Sequence, residues 1–142
     1  MNYTLSFQQQ WPPQQLVRSG GEHDPLERKL RIVTADQYRS AVVNPGKKTL
    51  KIYDFRLDMD GDIMLRWSPG FSTYTDKVYL PVHFQERPER LWRIECGVMQ
   101  MYPAEMELKL KGEHHYVIKP MASVTPETLR RMLRCLPWVK LA

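Results

Sequence analysis

The sequence predicts an α+β domain that consists mainly of short antiparallel strands with two or three helices. Short apolar segments with period-2 alternation are separated by turn residues, which is typical of strands in a small antiparallel sheet. An amphipathic helical segment follows near the end of the chain. The length of 142 residues suffices for one hydrophobic core but hardly for two, so we expect one domain.

The N-terminal region is predicted to be an arm that leads into this domain. Residues 1–15 are rich in glutamine and proline, which disfavours regular structure and indicates an extended segment, with the domain spanning residues 16–142. Leu16-Val17-Arg18 is predicted as the first strand of the domain. It ends at Ser19-Gly20-Gly21, whose glycines adopt positive φ at little cost.

Two helices are predicted from their caps. Thr34 offers an N-cap hydroxyl to a short helix over residues 35–42, which Asn44-Pro45-Gly46 stops. Thr125 caps the final helix, Pro126 suits its first position, and Pro137 ends it. The core face of the final helix is predicted from residues at helical spacing, namely Leu129, Met132, Leu133 and Leu136.

The remaining elements are predicted as strands. Apolar and charged residues alternate over residues 53–58, which indicates a strand with one buried face. Asp60-Gly61 is typical of a hairpin turn, so residues 63–67 are predicted as the return strand. Further strand-like apolar segments are found at residues 77–84, 91–95, 106–110 and 116–118.

Charge and targeting signals limit the function classes. The chain has 21 Lys and Arg against 16 Asp and Glu, a formal net charge of +5 that favours an anionic partner. Nucleic acid, a dinucleotide phosphate and an acidic protein inhibitor all fit. No apolar run approaches the roughly 18 residues of a membrane span, and the first residues lack a secretory signal. We therefore expect a cytoplasmic protein without membrane contact, while delivery into a target cell without a cleaved peptide stays open.

Metal and disulfide chemistry is not expected. Cys96 and Cys135 are far apart and lack CxxC spacing, so neither a disulfide framework nor a zinc ribbon is indicated. The four histidines include no pair with the i, i+4 helical spacing of a zinc site.

Two short motifs are candidates for chemistry. In Pro69-Gly70-Phe71-Ser72-Thr73-Tyr74, the glycine allows close approach of a ligand, and Ser72 and Thr73 place hydroxyls on opposite faces of a strand. Phe71 and Tyr74 add flat apolar surfaces that are suited to an aromatic amide. The second motif, Glu113-His114-His115-Tyr116, places a histidine on a predicted strand, where alternation puts His115 on the face opposite to Tyr116 and Ile118 and on the side of Ser72.

These motifs and their order resemble the ADP-ribosyltransferase-like toxins that type VI secretion exports. The resemblance covers most of residues 50–137, and Glu95 departs from it where the family has a proline. It implies an ADP-ribosyltransferase-like fold with a split sheet. The segments that carry it are Leu16-Val17-Arg18, Gly70-Phe71-Ser72-Thr73-Tyr74, Trp92-Arg93-Ile94 with Gly97, Pro103 with Met106 and Leu108, His115-Tyr116 with Pro120, and residues 129–136.

The resemblance implies a toxin that uses NAD as its substrate. The toxin either transfers ADP-ribose to a target or hydrolyses NAD, and a cognate immunity protein or antitoxin neutralises it in the producing cell. Arg18 and Arg31 are the expected contacts of the phosphates. Ser72 and Thr73 are expected to orient the nicotinamide ribose beside Tyr74. His115 is expected to bind a ribose hydroxyl or to move a proton.

Other readings of the same residues stay open. A basic ribonuclease-like toxin would use His83 and His115 as acid and base, although nucleic acid is the less favoured partner, and a non-enzymatic interaction module is the third class. The order of Arg18, Ser72-Thr73 and Glu105-Met106-Glu107 also matches the arginine, serine-threonine and Glu-x-Glu order of other ADP-ribosylating toxins. Met106, Leu108 and Leu110 are predicted to form the buried face of this strand. Glu105 and Glu107 are therefore expected on its solvent-exposed face.

Overall fold

The computed structural model describes residues 5–6, 15–27, 30–43, 53–95, 102–103 and 105–141. Ten strands form in these residues. They are β1 (Leu5–Ser6), β2 (Leu16–Ser19), β3 (Ile32–Val33), β4 (Phe55–Arg56), β5 (Phe71–Tyr74), β6 (Leu91–Ile94), β7 (Tyr102–Pro103), β8 (Met106–Leu110), β9 (His115–Pro120) and β10 (Trp138–Lys140). The same residues contain helices α1 (Ala35–Val43), α2 (Val82–Gln85) and α3 (Pro126–Arg134), with 3-10 turns at Lys77–Tyr79 and Pro88–Arg90.

The predicted α+β class is confirmed, and its main feature is a six-stranded antiparallel sheet. The strand order is β10-β6-β2-β5-β9-β8. Pairing is extensive between β5 and β9, where four residue pairs face each other, but β2 and β5 share only the pair Val17 and Tyr74. The centre of the sheet is therefore the place where two neighbouring strands part.

One face of the sheet carries the main core. Leu16, Phe71, Ile94 and Ile118 are fully buried there, in one cluster with the apolar stripe of α3. The predicted stripe of α3 is confirmed, since Leu129, Met132 and Leu133 are buried and Leu136 is 4% exposed. A smaller cluster around Val17, Leu80 and Leu91 covers part of the opposite face. Within the described ranges, no helix is long and apolar enough to cross a bilayer.

Both predicted helix caps are present. Thr125 Oγ1 accepts from the Thr128 backbone N–H at 3.1 Å, and Pro126 begins α3. Thr34 Oγ1 accepts from Gln37 N at 3.1 Å while Gln37 Oε1 accepts from Thr34 N at 2.9 Å, which forms a capping box for α1. The predicted stop at Asn44-Pro45-Gly46 lies outside the described residues, as do most of the N-terminal arm, Cys96 and Gly97.

The predicted return strand over residues 63–67 is wrong. The turn itself forms, with Gly61 at φ 85° and its N–H donating to Asp58 O, but only Ile63 bridges back to Leu57. β4 instead pairs in parallel with β3. Beyond the turn, side chains donate hydrogen bonds to backbone carbonyls: Ser68 Oγ donates to Met64 O, and Lys119 Nζ donates to Leu65 O.

The predicted strand over residues 77–84 is also wrong. Asp76 accepts from Val78 N at 3.2 Å and starts a 3-10 turn, and Pro81 precedes the single-turn helix α2. Leu80 is 5% exposed, but Val78 and Val82 on either side of it are 61% and 71% exposed, so this segment lacks the continuous buried face that a core strand needs. The Asp76 cap and Pro81 therefore favour short helical turns.

Two glycines with positive φ provide a matched stability test. Gly70 has φ 109°, and a Cβ built there would lie 2.9 Å from Lys119 Cγ and 3.0 Å from Val117 Cβ. Gly61 has φ 85° and open space around a built Cβ. We expect Gly61→Ala to cost about 1–2 kcal/mol of unfolding free energy, and Gly70→Ala to cost more because β9 must also move. Urea denaturation measures both, and equal losses would contradict the crowding at Gly70.

Candidate functional site

A cleft of about 380 Å³ opens where β2 and β5 part. Its wall combines two arginines, one carboxylate, hydroxyl groups and aromatic rings. The lining residues are Arg18, Ser19, Arg31, Asp54, Ser72, Tyr74, Leu80, Pro81, His83 and Phe84. The volume falls within the range of about 300–1,000 Å³ that is usual for small-ligand sites.

Arg18 lies in the gap between the two strands. Its side chain projects from β2 with only 7% of the residue exposed, and the guanidinium lies 3.8 Å from the centre of the Phe71 ring. Nη1 donates to Ser72 O at 2.7 Å. Nη2 lies 3.5 Å from Asp54 Oδ2. The guanidinium therefore donates to the Ser72 carbonyl at a point where β2 and β5 are no longer paired.

Asp54 connects three segments at the rim of the cleft. Its Oδ2 accepts from Arg31 N at 3.0 Å, in addition to its contact with Arg18. Its backbone N–H donates to Arg31 O at 2.9 Å, and its carbonyl accepts from Gly70 N at 2.9 Å. Burial raises the pKa of the Asp54 carboxyl, and the nearby Arg18 guanidinium opposes that shift without cancelling it.

Aromatic rings from β5 and α2 also line the cleft. The Tyr74 ring stacks on His115 with a centroid distance of 4.6 Å and an interplanar angle of 10°. The rings of His83 and Phe84 are tilted against each other at 4.1 Å. His83 and Phe84 belong to α2, so this short helix after β5 contributes one side of the cleft.

The structure brings four of the predicted site residues together. Arg18, Arg31, Ser72 and Tyr74 all line the cleft, although they come from different segments of the chain. Thr73 is fully buried on the other face of β5, and its hydroxyl donates to Tyr116 O at 3.0 Å. The structure therefore does not bring the Thr73 side chain to the cleft.

His115 lies behind Tyr74 and is not among the lining residues. The strand register pairs Tyr74 with His115 and Ser72 with Val117, so His115 shares a sheet face with Ser72, as the alternation predicts. Its Nε2 is buried without a hydrogen-bond partner among the described residues. Burial and, to a smaller extent, the positive charge of Lys111 lower the pKa of His115.

His114 has a different environment from its neighbour. Its ring stacks on Tyr79 at 3.8 Å with an interplanar angle of 5°, and its Nδ1 lies 3.4 Å from Thr75 Oγ1. Tyr79 ends the 3-10 turn that precedes α2. His114 therefore supports the segment that carries the α2 wall of the cleft.

Sequence reasoning missed the carboxylate of the cleft. Glu105 and Glu107 flank Met106 at the edge strand β8 and are not among the lining residues, and Glu107 pairs with Lys109 at 3.5 Å. The carboxylate that lines the cleft is that of Asp54. Its only signal was its place as a polar residue in the alternation over residues 53–58. In the described ranges, no group of three or more His, Cys, Asp and Glu side chains is placed to hold a metal ion.

Comparison with known proteins adds no family assignment. No protein-family model matches this chain, no curated protein matches it, and no solved structure matches it. The chemistry of the cleft is therefore inferred from its own residues.

The lowered pKa of His115 predicts a loss of stability in acid. The unfolded chain binds a proton at the ordinary histidine pKa of about 6.5, whereas the folded chain binds it only at lower pH. Stability should thus fall as the pH drops below about 6.5, until the folded-state pKa is passed. We expect His115→Gln to reduce the fall in Tm between about pH 7 and pH 5.

His23→Gln is the matched control, because His23 is exposed. Thermal unfolding followed by circular dichroism across this pH range measures all three proteins. If both variants keep the slope of the parent protein, the buried environment of His115 is not the source of the pH dependence.

Proposed function

We propose that this protein is a toxin of the ADP-ribosyltransferase-like class that binds NAD and either transfers ADP-ribose to a target or hydrolyses NAD. The observation that carries the proposal is the sheltered Arg18 guanidinium, which lies beside Ser72 in the gap between β2 and β5. A split sheet with an arginine on one strand and a serine on the next is what the resemblance of these segments implies.

Two cations suit the pyrophosphate of NAD. Arg18 is fixed by Ser72 O and Asp54, whereas the exposed Arg31 reaches the same cleft from the segment before β3. Guanidinium groups bind phosphate oxygens through paired, charge-assisted hydrogen bonds. One buried and one exposed arginine would therefore anchor the dinucleotide.

The rings and the hydroxyl of the cleft suit the nicotinamide and its ribose. Tyr74 and Phe84 offer flat apolar surfaces, and the half-buried Ser72 offers a hydroxyl in the same cleft. Cleavage of the nicotinamide–ribose bond develops positive charge on the ribose, which a nearby carboxylate stabilises. Asp54 is the lining residue that can supply this charge when it is ionised.

His115 takes a supporting role in this arrangement. Its ring stacks on Tyr74, so it holds one wall of the cleft in place. Direct contact of His115 with a ribose hydroxyl stays a prediction, since such contact requires the Tyr74 ring to move. A cognate immunity protein or antitoxin of acidic character would suit the net charge of +5.

One observation favours the ribonuclease-like alternative. His83 lies in the same cleft as Arg18 and Arg31, which is an arrangement that could also hold a phosphodiester. The second histidine that acid–base cleavage needs, His115, lies behind Tyr74. Incubation with single-stranded RNA separates the classes, because the NAD proposal predicts no cleavage.

The direct test is calorimetric titration with NAD combined with chromatographic detection of released nicotinamide. We expect saturable binding, and we expect Arg31→Gln to weaken it by about tenfold because a charge-assisted phosphate contact is lost. Arg130→Gln is the matched control, since Arg130 is an exposed residue of α3 outside the cleft. Absence of saturable NAD binding, or equal effects of both variants, would reject the proposal.

Ser72→Ala tests the ribose contact. The hydroxyl is half-buried and leaves no large cavity, so the change should cost about 1 kcal/mol or less of stability while it abolishes nicotinamide release and toxicity in expressing cells. Ser123→Ala is the control, because the Ser123 hydroxyl donates to Ile63 O outside the cleft. A stable Ser72→Ala variant with full toxicity would remove Ser72 from the site.

A further inference from the structure

A second cavity lies at the opposite end of the β3–β4 ladder from the cleft. Arg31 and Asp54 line the cleft and directly precede β3 and β4. Ala35 and Leu57 line the second cavity and follow these two strands in the chain. This α1 groove, lined by Ala35, Tyr38, Arg39, Val42, Arg56, Leu57, Asp58, Met59 and Met64, has a volume of about 380 Å³. The two cavities share no lining residue.

The walls of the α1 groove are mainly apolar. Val42 from α1 lines the cavity together with Met59 and Met64, which lie on either side of the Gly61 turn in the chain. Val42 is 55% and Met59 is 75% exposed, so the apolar surface continues to the mouth of the groove. Methionine side chains adapt to ligands of different shape. Such walls favour an apolar ligand body.

Arg56 is a cation that forms no ion pair with the described residues. Its guanidinium lies 3.4 Å from the centre of the Tyr38 ring, and its Nε is buried without a hydrogen-bond partner among the described residues. No carboxylate of the described chain forms an ion pair with it. Asp58 also lines the groove, but its Oδ1 accepts from Asp60 N at 2.9 Å and from Asp62 N at 3.0 Å. Arg56 is half-buried, and a partly buried guanidinium gains from an anion that enters the groove with its ligand.

We infer that the α1 groove binds a small carboxylate with an apolar body, such as a short acyl or aryl carboxylate, whose carboxylate pairs with Arg56. The buried position of the Arg56 Nε favours a ligand that enters the cavity completely. The exposed Arg39, which also lines the groove and whose Nη1 lies 3.7 Å from Asp36 Oδ1, adds positive charge at the rim. This site is independent of the NAD cleft.

Calorimetric titration of the whole chain with octanoate and with uncharged octanamide tests the inference. We expect octanoate to bind saturably at one site. The affinity for octanamide should be at least about tenfold lower, because the amide lacks the charge-assisted contact with Arg56. Saturating NAD should leave octanoate binding unchanged. Equal affinity for the two compounds, competition by NAD or absence of saturable binding would overturn the inference.

Two neighbouring valines give a matched pair of variants. Val42 lines the groove, whereas Val43 is the next residue of α1, is 73% exposed and does not line it. Val42→Glu should abolish octanoate binding by repelling the carboxylate, and Val43→Glu should leave it unchanged. Arg56→Gln should weaken it by about tenfold, and if that variant fails to fold, the valine pair decides.

A peptide is the competing occupant of the groove. Acetyl-Leu-Glu-Leu-amide presents a carboxylate beside apolar side chains on a chain that cannot enter the cavity completely. If this peptide binds in a Val42-dependent manner and octanoate does not, the groove is a protein docking site and the inference is wrong. Binding of octanoate without binding of the peptide supports it.

Discussion

The candidate site depends on the hydrogen bond that the buried Arg18 guanidinium donates to Ser72 O. β2 and β5 pair only at Val17 and Tyr74, and the Arg18 side chain fills the gap that their separation leaves. Its hydrogen bond to Ser72 O gives β5 a partner where the ladder has ended. A shorter or uncharged side chain would leave that carbonyl without this partner and would remove the cation from the cleft.

Burial of this cation has a cost that Asp54 offsets in part. A charge removed from water needs an opposite charge and hydrogen bonds close to it. Asp54 supplies the opposite charge and also ties together Arg31 and Gly70 through its backbone. The raised pKa of Asp54 shows that its own burial outweighs the attraction of the guanidinium. The rim of the cleft is thus held by the carboxylate that lines it.

The β3–β4 ladder separates two cavities of different character. The residues before the ladder, Arg31 and Asp54, face a cleft with charges and hydroxyl groups. Arg56, at the end of β4, lies against Tyr38 in a mostly apolar groove. β3 and β4 have only two residues each. Because they pair in parallel, the residues before both strands lie at the cleft and the residues after both strands lie at the α1 groove.

The sequence by itself determined the elements that local patterns encode. The caps at Thr34 and Thr125 and the alternation over residues 106–110 depend on neighbours within a few positions, so they could be read directly. The alternation over residues 115–118 likewise placed His115 on the face opposite to Tyr116. The arginine and serine of the candidate site were also identified from their motifs.

Tertiary structure decided the features that depend on distant residues. β10 forms only because β6 offers it an edge, and Asp54 becomes a cleft residue only because Arg18 and Arg31 meet it there. The acceptor of the Thr73 hydroxyl, Tyr116 O, is supplied only by the neighbouring strand β9. Such contacts join residues that are far apart in the chain, and no local periodicity reports them.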